Sequence, residues 1–495
     1  MLKRRIANRT WKYASRRHWR ELKSALRNPR EVQHDLLLKF LRRNAASQYG
    51  RQHGYADIHS IEQFQQNVPL VTYDDLQPYV EATVAGEPNV LTTDPVVMFE
   101  TTSGSSGAKK FIPYTDELKR EFQRAIGAWM YDLFSARPGL LDGSHYWAIS
   151  PLARGRQFTA GGVPIGVVDD AEYLGRIERW VLQTISAVPA SVAACASMEA
   201  CRRETMRHLL RRRDLRLMSV WHPSFLSRLL EELPANRSPA ECWPNLSLVS
   251  CWTSASAAGF VTRLEDQLPG VEIQGKGLLA TEGVVTIPLF GAPAPVAALT
   301  SHFLEFIDDA GDVHLVDDLN ESEQYEVAIT TAGGFARYRL GDMVELVAPN
   351  CLKFVGRAAT SDLCGEKLSE AFVGKVLSEA AAALGTGGFH MLVPEDDRPP
   401  RYVLLTDSER ADQFAAEVER RLCESVHYDY CRRLGQLAAV EGVHIDDAQV
   451  AYLNACQQQG QRAGDVKPRS LMTEFGWRER MTGRTGQQNE VAHAG

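Results

Sequence analysis

The sequence predicts an α/β protein of two domains, and three observations support this prediction. The chain has 495 residues, which exceeds the usual size of a single hydrophobic core. Short apolar runs typical of buried strands alternate with stretches in which apolar residues recur at helical spacing. The strand-like run Pro95–Phe99 leads into a Gly/Ser-rich loop and then into a helical pattern, which is the order typical of α/β folds.

Helices and strands are predicted in order along the chain from this periodicity. The predicted helices are Glu31–Tyr49, with Gly50 as its stop, Ile61–Phe64, a long helix from Thr115 with acids in its first turn, Glu370–Leu384 and Asp412–Glu424. The predicted strands, besides Pro95–Phe99, are Leu217–Trp221, Leu246–Trp252, Val271–Gln274, Glu326–Thr330, Met343–Val347 and Tyr402–Leu405. A loop is predicted between two of these strands, at Ala332–Asp342.

The pattern changes near Gly356-Arg357, where we place a domain boundary. The residues that follow combine an alanine-rich helix, a strand and a second helix, which suits a small α+β module. We therefore predict an N-terminal domain of residues 1–356 and a C-terminal domain of residues 357–495. The final stretch, Thr482–Gly495, is polar and is expected to be a frayed tail.

Composition and cysteine spacing indicate a globular protein of a reducing compartment. Hydrophobic residues make up 44% of the chain and charged residues 24%, values that exclude collagen-like, coiled-coil and wholly disordered proteins. Neither an apolar run of about 18 residues nor a secretory signal pattern is present, so we expect no membrane span and no export. The nine cysteines are scattered without a CxxC pair, which argues against a disulfide framework and a structural zinc site. We therefore expect a cytoplasmic protein.

The net charge of −7 is unevenly distributed, because residues 1–30 carry many Lys and Arg residues and one acid, Glu21. Such a segment could be an arm that binds nucleic acid or an anionic membrane, or an organellar transit peptide. It could instead be a helix with a solvated basic face, whose apolar residues pack on the body: Ile6, Trp11, Trp19, Leu22 and Leu26. The second interpretation is favoured because charge runs are usually solvated faces, and no nucleic-acid partner is expected.

The strongest local signal for chemistry is the Gly/Ser-rich loop Thr101–Lys110. Its candidate nucleotide-binding residues are Thr102, Ser103, Gly104, Ser105, Ser106, Gly107 and Lys110. Glycines let backbone N–H groups turn toward a ligand, hydroxyls add donors and lysine adds a positive charge, which together suit a polyphosphate. The spacing differs from that of a P-loop, because Phe111 follows Lys110 where a Ser or Thr would be required. Taken alone, the loop fits a plain surface loop equally well.

Further motifs follow in a recognisable order. They are Gln48-Tyr49-Gly50, Val68-Pro69-Leu70, Tyr73-Asp74-Asp75-Leu76, Leu278–Gly283, Tyr338-Arg339-Leu340-Gly341-Asp342, Gly356-Arg357 with Asp362 and Glu366–Glu370, and Val466-Lys467-Pro468-Arg469. Together with the loop they resemble the motifs of the GH3 acyl-acid amido synthetases, which are adenylate-forming enzymes. The resemblance covers roughly residues 30 to 475, the greater part of the chain.

The resemblance implies a large N-terminal adenylate-forming domain, with mixed sheets and flanking helices, and a smaller mobile α+β C-terminal domain. It also implies ATP and Mg²⁺, with Thr281 beside the nucleotide. Glu282 would hold Mg²⁺, although an exposed loop acid is the alternative. The Asp342 carboxylate would accept from the ribose hydroxyls, although it could instead cap its own turn. Arg357 would pair with a phosphate or the ribose, although a structural ion pair is nearly as plausible.

Lys467 would come from the mobile C-terminal domain and stabilise the charge that develops at the α-phosphate as pyrophosphate leaves. Leu278 departs from the family pattern, because the family places an aromatic residue there that stacks on adenine. Stacking would then be weaker or come from elsewhere, for which Trp252 is a candidate. Trp252, Thr253 and Ser254 follow a predicted buried strand and are weak candidates for the acyl pocket; a core strand followed by small residues explains them equally well.

We therefore expect an ATP-dependent ligase that converts a carboxylic acid into an acyl-adenylate and transfers the acyl group to an amine, such as an amino acid. Two alternatives stay open. The first is an acyl-CoA ligase that uses the same adenylation step, and the second is a nucleotide-binding protein without catalytic activity. Neither the acid, the amine nor the oligomeric state follows from the sequence.

Overall fold

The computed structural model describes residues 2–103, 109–148, 157–166, 176–195, 198–254, 257–357, 360–458 and 469–483. The chain divides into two compact units. The first comprises Met1–Thr102 and Lys110–Ala358, and the second comprises Ala359–Gly495 and the segment Ser103–Lys109. Among the described helices, none has both the length and the apolar character that a membrane crossing requires.

Helices occur in both units. In the first they are α1 (Leu2–Ala25), α2 (Pro29–Asn44), α3 (Gln48–Gln52), α4 (Ile61–Asn67), α5 (Tyr73–Ala85), α6 (Asp116–Ala136), α7 (Arg176–Ile185), α8 (Met198–Leu209), α9 (Pro223–Leu230), α10 (Pro239–Cys242) and α11 (Ala258–Gln267). In the second they are α12 (Glu370–Leu384), α13 (Ala411–Leu422), α14 (Val426–Arg433), α15 (Ala448–Gln458) and α16 (Trp477–Thr482). Short 3₁₀ helices lie at Tyr55–Asp57, Pro138–Asp142, Ala190–Ala194 and Val316–Asp318.

The strands form several separate sheets. Strands β1 to β8 are β1 (Val96–Ser103), β2 (Lys109–Thr115), β3 (Ser144–Trp147), β4 (Gln157–Phe158), β5 (Pro164–Ile165), β6 (Leu215–Ser219), β7 (Leu248–Cys251) and β8 (Glu272–Gly275). Strands β9 to β15 are β9 (Thr286–Ile287), β10 (Val296–Ala297), β11 (Phe303–Ile307), β12 (Val313–His314), β13 (Gln324–Thr330), β14 (Tyr338–Ala348) and β15 (Cys351–Arg357). The remaining strands are β16 (Thr360–Ser361), β17 (Leu368–Ser369), β18 (His390–Glu395), β19 (Arg401–Thr406) and β20 (Glu441–His444).

The first unit contains a sheet of order β2-β1-β5-β4, a parallel sheet of order β3-β6-β7-β8 and a seven-stranded sheet of order β12-β11-β13-β14-β15-β10-β9. The second unit contains the pair β16-β17 and the sheet β18-β19-β20. In this sheet β18 and β19 are antiparallel, and β19 and β20 are parallel. This combination of parallel and antiparallel sheets with flanking helices confirms the predicted α/β class.

The parallel sheet follows from the alternation of short apolar runs and helices. Its strands β6, β7 and β8 correspond to three of the predicted strands, and β6 and β7 are largely buried. Helices α9 and α10 separate β6 from β7, and α11 separates β7 from β8. Parallel neighbours require such crossovers, so the carboxyl ends of the strands meet at one edge of the sheet.

The basic N-terminal segment is an integral helix, α1, which packs against α6. Trp11 is 3% exposed, with its ring centroid 5.8 Å from that of Phe134, and the buried Asn8 side chain donates to the Leu141 carbonyl oxygen at 3.1 Å. Most of the basic residues are exposed, as expected for a solvated face. The expectation that Ile6 packs on the body is wrong, because the residue lies on this outer face and is 50% exposed.

Two predictions of local structure are wrong because tertiary contacts or caps override the local pattern. The helix predicted to run to Tyr49 ends at Asn44, and Gly50 lies within α3, where Ser47 Oγ caps the new helix by accepting from Gly50 N at 2.9 Å. The predicted loop Ala332–Asp342 ends early, because β14 begins at Tyr338. Gly341 has a φ of +73° within this strand, so the strand is irregular at this position.

The second unit contains a buried cluster formed by Glu366, Cys364 and Cys431, whose possible ligand atoms lie within 4.8 Å of one another. The Glu366 carboxylate is already used: it accepts from Leu363 N at 2.6 Å and from the Tyr402 hydroxyl at 2.5 Å. Burial raises the pKa of Glu366 to about 7. All nine cysteines are free thiols, in keeping with the sequence-based expectation.

Candidate functional site

The two strands that flank the Gly/Ser-rich loop are neighbours in one sheet. Thr102 and Ser103 end β1, and Lys110 is the second residue of β2. The intervening candidates, Gly104, Ser105, Ser106 and Gly107, lie outside the described residues. The loop therefore connects two adjacent strand ends, which is the strand-loop-strand arrangement that can present backbone N–H groups to an anion.

Helix α5 supports the start of β2. The Tyr73 hydroxyl oxygen accepts from the backbone N–H of Phe111 at 2.7 Å, and Lys110 Nζ lies 5.1 Å from the centroid of the Tyr73 ring. Cations over aromatic rings are attracted by the ring quadrupole. Tyr73 belongs to one of the motifs found in the sequence, and the structure places it against the base of the predicted phosphate loop.

Thr281 and Glu282 occupy the corner of a tight turn. Gly283 N donates to the Ala280 carbonyl oxygen at 3.2 Å, and Ala280 N donates to the Gly283 carbonyl oxygen at 2.9 Å. The Tyr114 hydroxyl, on β2, donates to the Thr281 carbonyl oxygen at 2.5 Å. One hydrogen bond thus ties this turn to the strand that leaves the Gly/Ser-rich loop, so two motifs distant in sequence are adjacent.

Two carboxylates lie near this connection. Burial raises the pKa of Tyr114 well above its usual range, and the negative charges of Glu100 on β1 and of Glu282 raise it further. Oxygen ligands, carboxylates above all, are those that Mg²⁺ takes in proteins. The carboxylate oxygens near Tyr114 are therefore of the kind that suits a hard divalent cation.

Asp342 lies on β14 and is 2% exposed. In the antiparallel register it stands opposite Arg357 on β15, so two residues separated by a hairpin are direct cross-strand partners. The side chain of Arg357 lies outside the described part of the chain. The structure thus brings together the backbones of two predicted nucleotide-binding residues.

A buried ion pair that the sequence reasoning missed fixes the start of β14. Arg337 Nε lies 3.0 and 3.2 Å from the two carboxylate oxygens of Glu305, on β11, and Arg337 Nη1 donates to the Val68 carbonyl oxygen at 2.7 Å. Val71 forms a parallel bridge with Tyr338: Val71 N donates to the Arg337 carbonyl oxygen, and Arg339 N donates to the Val71 carbonyl oxygen. The sequence signal for this buried pair was a charged residue, Glu305, in the middle of the apolar strand 303–307.

The pocket candidates Trp252, Thr253 and Ser254 follow β7, at the edge where the carboxyl ends of the parallel strands meet. The Trp252 ring centroid lies 5.8 Å from that of Trp221, which follows β6. Thr253 packs so closely on Gly275 that a Cβ at that glycine would be 2.4 Å from Thr253 Oγ1. Ligands of open α/β sheets bind outside such strand ends.

Lys467 lies outside the described residues.

Comparison with known proteins assigns the family. Residues 18–239 match the model of the GH3 family N-terminal domain, and residues 296–357 match that of the GH3 family central domain. Together the two matches span more than half of the chain. A probable indole-3-acetic acid-amido synthetase, GH3.12 of Oryza sativa subsp. japonica, is 26% identical, with 67% of this chain and 69% of the relative aligned. A putative indole-3-acetic acid-amido synthetase of the same plant, GH3.10, is 25% identical, over 71% of this chain and 84% of the relative.

The fold agrees with that of a solved member. The structure of the GH3.15 acyl acid amido synthetase superposes with a TM-score of 0.59 at 18% sequence identity, covering 93% of this chain and 94% of the other. This likeness shows that the two proteins share a fold. With the two family-model matches and the order of the motifs, it leads to one assignment: the chain belongs to the GH3 family.

Proposed function

We propose that the chain is an ATP-dependent ligase that forms an amide between a carboxylic acid and an amine, most simply an amino acid. In the first step a carboxylate oxygen attacks the α-phosphorus of ATP, which gives an acyl-adenylate and pyrophosphate. In the second step the amine attacks the acyl carbon, AMP leaves, and one proton is released. Family membership is the observation that carries this proposal, since the solved GH3.15 relative is named an acyl acid amido synthetase and the two rice relatives are named as a probable and a putative amido synthetase.

Four groups of residues would bind ATP. The Gly/Ser-rich loop from Thr102 to Lys110 would hold the phosphates through backbone N–H groups. The turn at Thr281 and Glu282 would lie beside them, with Glu282 as the carboxylate for Mg²⁺, which supplies charge neutralisation of the phosphates. Asp342 would accept from the ribose hydroxyls, and Arg357, its cross-strand neighbour, would pair with a phosphate or the ribose.

The protein's own contribution to catalysis is positioning and electrostatic stabilisation, because the mixed anhydride of the acyl-adenylate is already reactive toward amines. Lys467 would act on the first step by stabilising negative charge that develops between the α-phosphate and the departing pyrophosphate. We place Lys467 in a C-terminal domain, residues 357–495, that moves between the two half-reactions. The nine free thiols suit a reducing compartment, and we propose the cytoplasm.

The test is pyrophosphate release with ATP and Mg²⁺ over a panel of carboxylic acids. We expect carboxylate-dependent release that falls about a hundredfold or more in Lys467→Ala, the loss typical when one group that stabilises the transition state is removed. Lys375→Ala is the matched control, because Lys375 is an exposed lysine of the second unit and should leave the rate unchanged. Release that is insensitive to Lys467→Ala would remove the role assigned to that residue.

The acceptor is identified by discharging the acyl-adenylate onto amino acids or coenzyme A and detecting the products by mass spectrometry. An amide product supports the proposal, and a thioester formed without any amide replaces it by acyl-CoA synthesis. If ATP binds but no carboxylate releases pyrophosphate, the chain is a nucleotide-binding protein without this activity. Glu282→Gln provides a further check, because the isosteric amide should raise the Mg²⁺ concentration needed for half-maximal release.

A further inference from the structure

The outer face of α1 carries a continuous row of exposed residues. The buried residues of the helix, among them Trp11, Ser15 and Leu22, lie on the face that packs on the rest of the first unit. Residues three or four positions apart lie on the same side of a helix. On the side opposite the buried face, this spacing produces the outer stripe, which consists of Leu2, Ile6, Arg9, Tyr13, Arg16 and Arg20. With a rise of about 1.5 Å per residue, the outer stripe is about 27 Å long, so it is an extended surface.

Three large apolar side chains lie in the outer stripe. Leu2 is 72% exposed, Ile6 50% and Tyr13 78%. Nine large hydrophobic residues are exposed in the described part of the chain, and three of them share this one stripe. Single exposed apolar residues are ordinary on a protein surface, whereas apolar residues that cluster mark contact surfaces. These three side chains therefore point to a partner that offers an apolar environment.

The positive charges of this face are largely uncompensated. Helix α1 contains nine Lys and Arg residues but a single acid, Glu21, which pairs with Arg17 at 2.7 Å. Arg5 pairs with Asp142 at 3.1 Å. In the part of the chain that the structure describes, five exposed cations of α1 form no ion pair: Lys3, Arg9, Arg16, Arg20 and Lys23. An excess of exposed charge of one sign attracts a partner of the opposite sign.

A second basic segment strengthens the positive potential at the start of α1. Arg4 Nη1 donates to Asp214 Oδ2 at 2.9 Å, which ties the helix to the loop between α8 and β6. That loop contains Arg211, Arg212 and Arg213, which form no ion pair among the described residues. Burial lowers the pKa of Arg212, and the positive charge of Arg4 lowers it further, although Asp214 opposes this. Like charges from two distant segments therefore lie close together, which favours an anionic partner.

The apolar residues decide between the two kinds of polyanion that a basic surface can bind. Nucleic acids are held mainly at phosphates and sugars by Lys, Arg and polar groups, which would leave Leu2 and Ile6 in water. An anionic bilayer accommodates both parts of the outer stripe. Its headgroups attract Lys and Arg, and the boundary between headgroups and acyl chains accepts Leu and Ile side chains as well as a tyrosine ring. The outer stripe therefore fits a membrane surface better than a nucleic acid.

We propose that the outer stripe of α1 binds the surface of an anionic lipid bilayer, with Leu2, Ile6 and Tyr13 inserted among the headgroups. The helix lies parallel to the bilayer, because the stripe runs along its length and its opposite face packs against α6. Since only three apolar side chains insert, binding is reversible and depends mainly on the attraction between the basic residues and the anionic lipids. The inference goes beyond the ligase proposed above and does not depend on it.

The test is cosedimentation of the full chain with vesicles of phosphatidylcholine, either alone or with about one third phosphatidylserine. We expect the anionic vesicles to be bound at least about tenfold more tightly than the neutral ones, because anionic lipids attract each Lys or Arg near the surface. Binding to the anionic vesicles should weaken as salt is added, because salt screens exposed charges. Equal binding to both kinds of vesicle, or no binding to the anionic vesicles at low salt, would overturn the inference.

Two variants separate the charge from the insertion. Arg9→Gln/Arg16→Gln/Arg20→Gln should weaken binding to anionic vesicles about a hundredfold, because each basic residue near such a surface strengthens binding about fivefold. Leu2→Ser/Ile6→Ser should weaken binding about tenfold while the salt dependence stays. All five residues are exposed, so both variants should fold, which circular dichroism verifies.

Arg237→Gln/Lys353→Gln/Lys375→Gln is the matched control, because it removes three positive charges from exposed residues outside α1. This control should bind anionic vesicles nearly as tightly as the wild type. An equal loss in the control and in the α1 arginine variant would refute the assignment to the outer stripe, and unchanged binding by Leu2→Ser/Ile6→Ser would refute the insertion. Binding of a DNA or RNA oligonucleotide through the three α1 arginines, by a chain that ignores vesicles, would replace the membrane by a nucleic acid.

Discussion

Replacing Glu305 by glutamine tests whether the buried ion pair at the start of β14 holds the candidate nucleotide site in place. The Glu305 and Arg337 side chains are 1% and 4% exposed, and the carboxylate also accepts from Gln65 Nε2 at 3.0 Å. Glutamine has the same shape but turns one acceptor oxygen into a donor NH₂ group. Since both oxygens face donors, either orientation of the amide opposes one donor to another and leaves the Arg337 charge uncompensated.

We expect Glu305→Gln to lower the free energy of unfolding by about 3 kcal/mol, at the lower end of the cost of removing one partner of a buried pair. The lower end is chosen because Arg337 keeps its hydrogen bonds to the carbonyl oxygens of Gln65 and Val68. Burial raises the pKa of Glu305 even though Arg337 opposes this, so desolvation outweighs the attraction between the charges. The double variant Glu305→Met/Arg337→Met should therefore cost less than the sum of the two single substitutions.

Equilibrium urea unfolding followed by tryptophan fluorescence is the assay. It reports the first unit, because every tryptophan except Trp477 precedes the end of that unit. Glu326→Gln is the matched control: Glu326 pairs with Arg339 in the same sheet, but the Arg339 side chain is 44% exposed, so the loss should be at most about 1 kcal/mol. If both variants lost the same free energy of unfolding, the conclusion that the buried pair stabilises the start of β14 would be refuted.

Two further predictions concern the Thr281-Glu282 turn and the response to acid. Gly283→Ala should displace the turn and lower pyrophosphate release, because the new Cβ would lie 2.6 Å from Ile329 Cδ1 and 3.0 Å from His302 Nε2, and both of these residues are fully buried with little room to move. Gly139→Ala, whose new Cβ meets no atom within 4 Å, should be neutral, and equal rates in the two variants would contradict this prediction. Burial lowers the pKa of His145 from 6.5 to about 4. Between these two pH values the histidine is protonated in the unfolded chain but neutral in the folded one. The free energy of unfolding should therefore fall as the pH drops from 6.5 to 4, by at most about 1.4 kcal/mol per pH unit. His145→Gln should reduce that slope in urea titrations, whereas substitution of the exposed His59 should leave it unchanged.

Elements whose signals are local could be predicted from the sequence. Helix α6 starts where expected, because Thr115 Oγ accepts from Leu118 N at 3.1 Å and two acids follow in the first turn. Helix α12 matches its predicted bounds, with Ser369 as cap and Gly385 in the left-handed conformation after its end. Caps, helical periodicity and terminal glycines involve residues only a few positions apart, so they can be recognised in a single sequence.

Elements that depend on distant partners could not be predicted in the same way. The sequence prediction placed the start of β14 in a loop, at Ala332–Asp342. In the structure this segment pairs with Val71 and with β13 and β15, and a charge pair between Arg337 and Glu305 secures it. Its strand conformation is thus imposed by tertiary pairing, which a local pattern does not report.

The cluster in which Lys276 Nζ lies 5.1 Å from the Trp129 ring centroid and 5.2 Å from that of Trp221 was missed for a related reason, although each of its residues was visible in the sequence. The strands that end at Trp221 and Trp252 were predicted, as was a strand that ends two residues before Lys276, and Trp252 was itself a candidate. Nothing local, however, relates one strand end to the next. Their relation is the register of the parallel sheet, and a shift of one residue in β8 would turn Lys276 to the opposite face, away from Trp129. The surroundings of this lysine are therefore determined by strand pairing rather than by a motif.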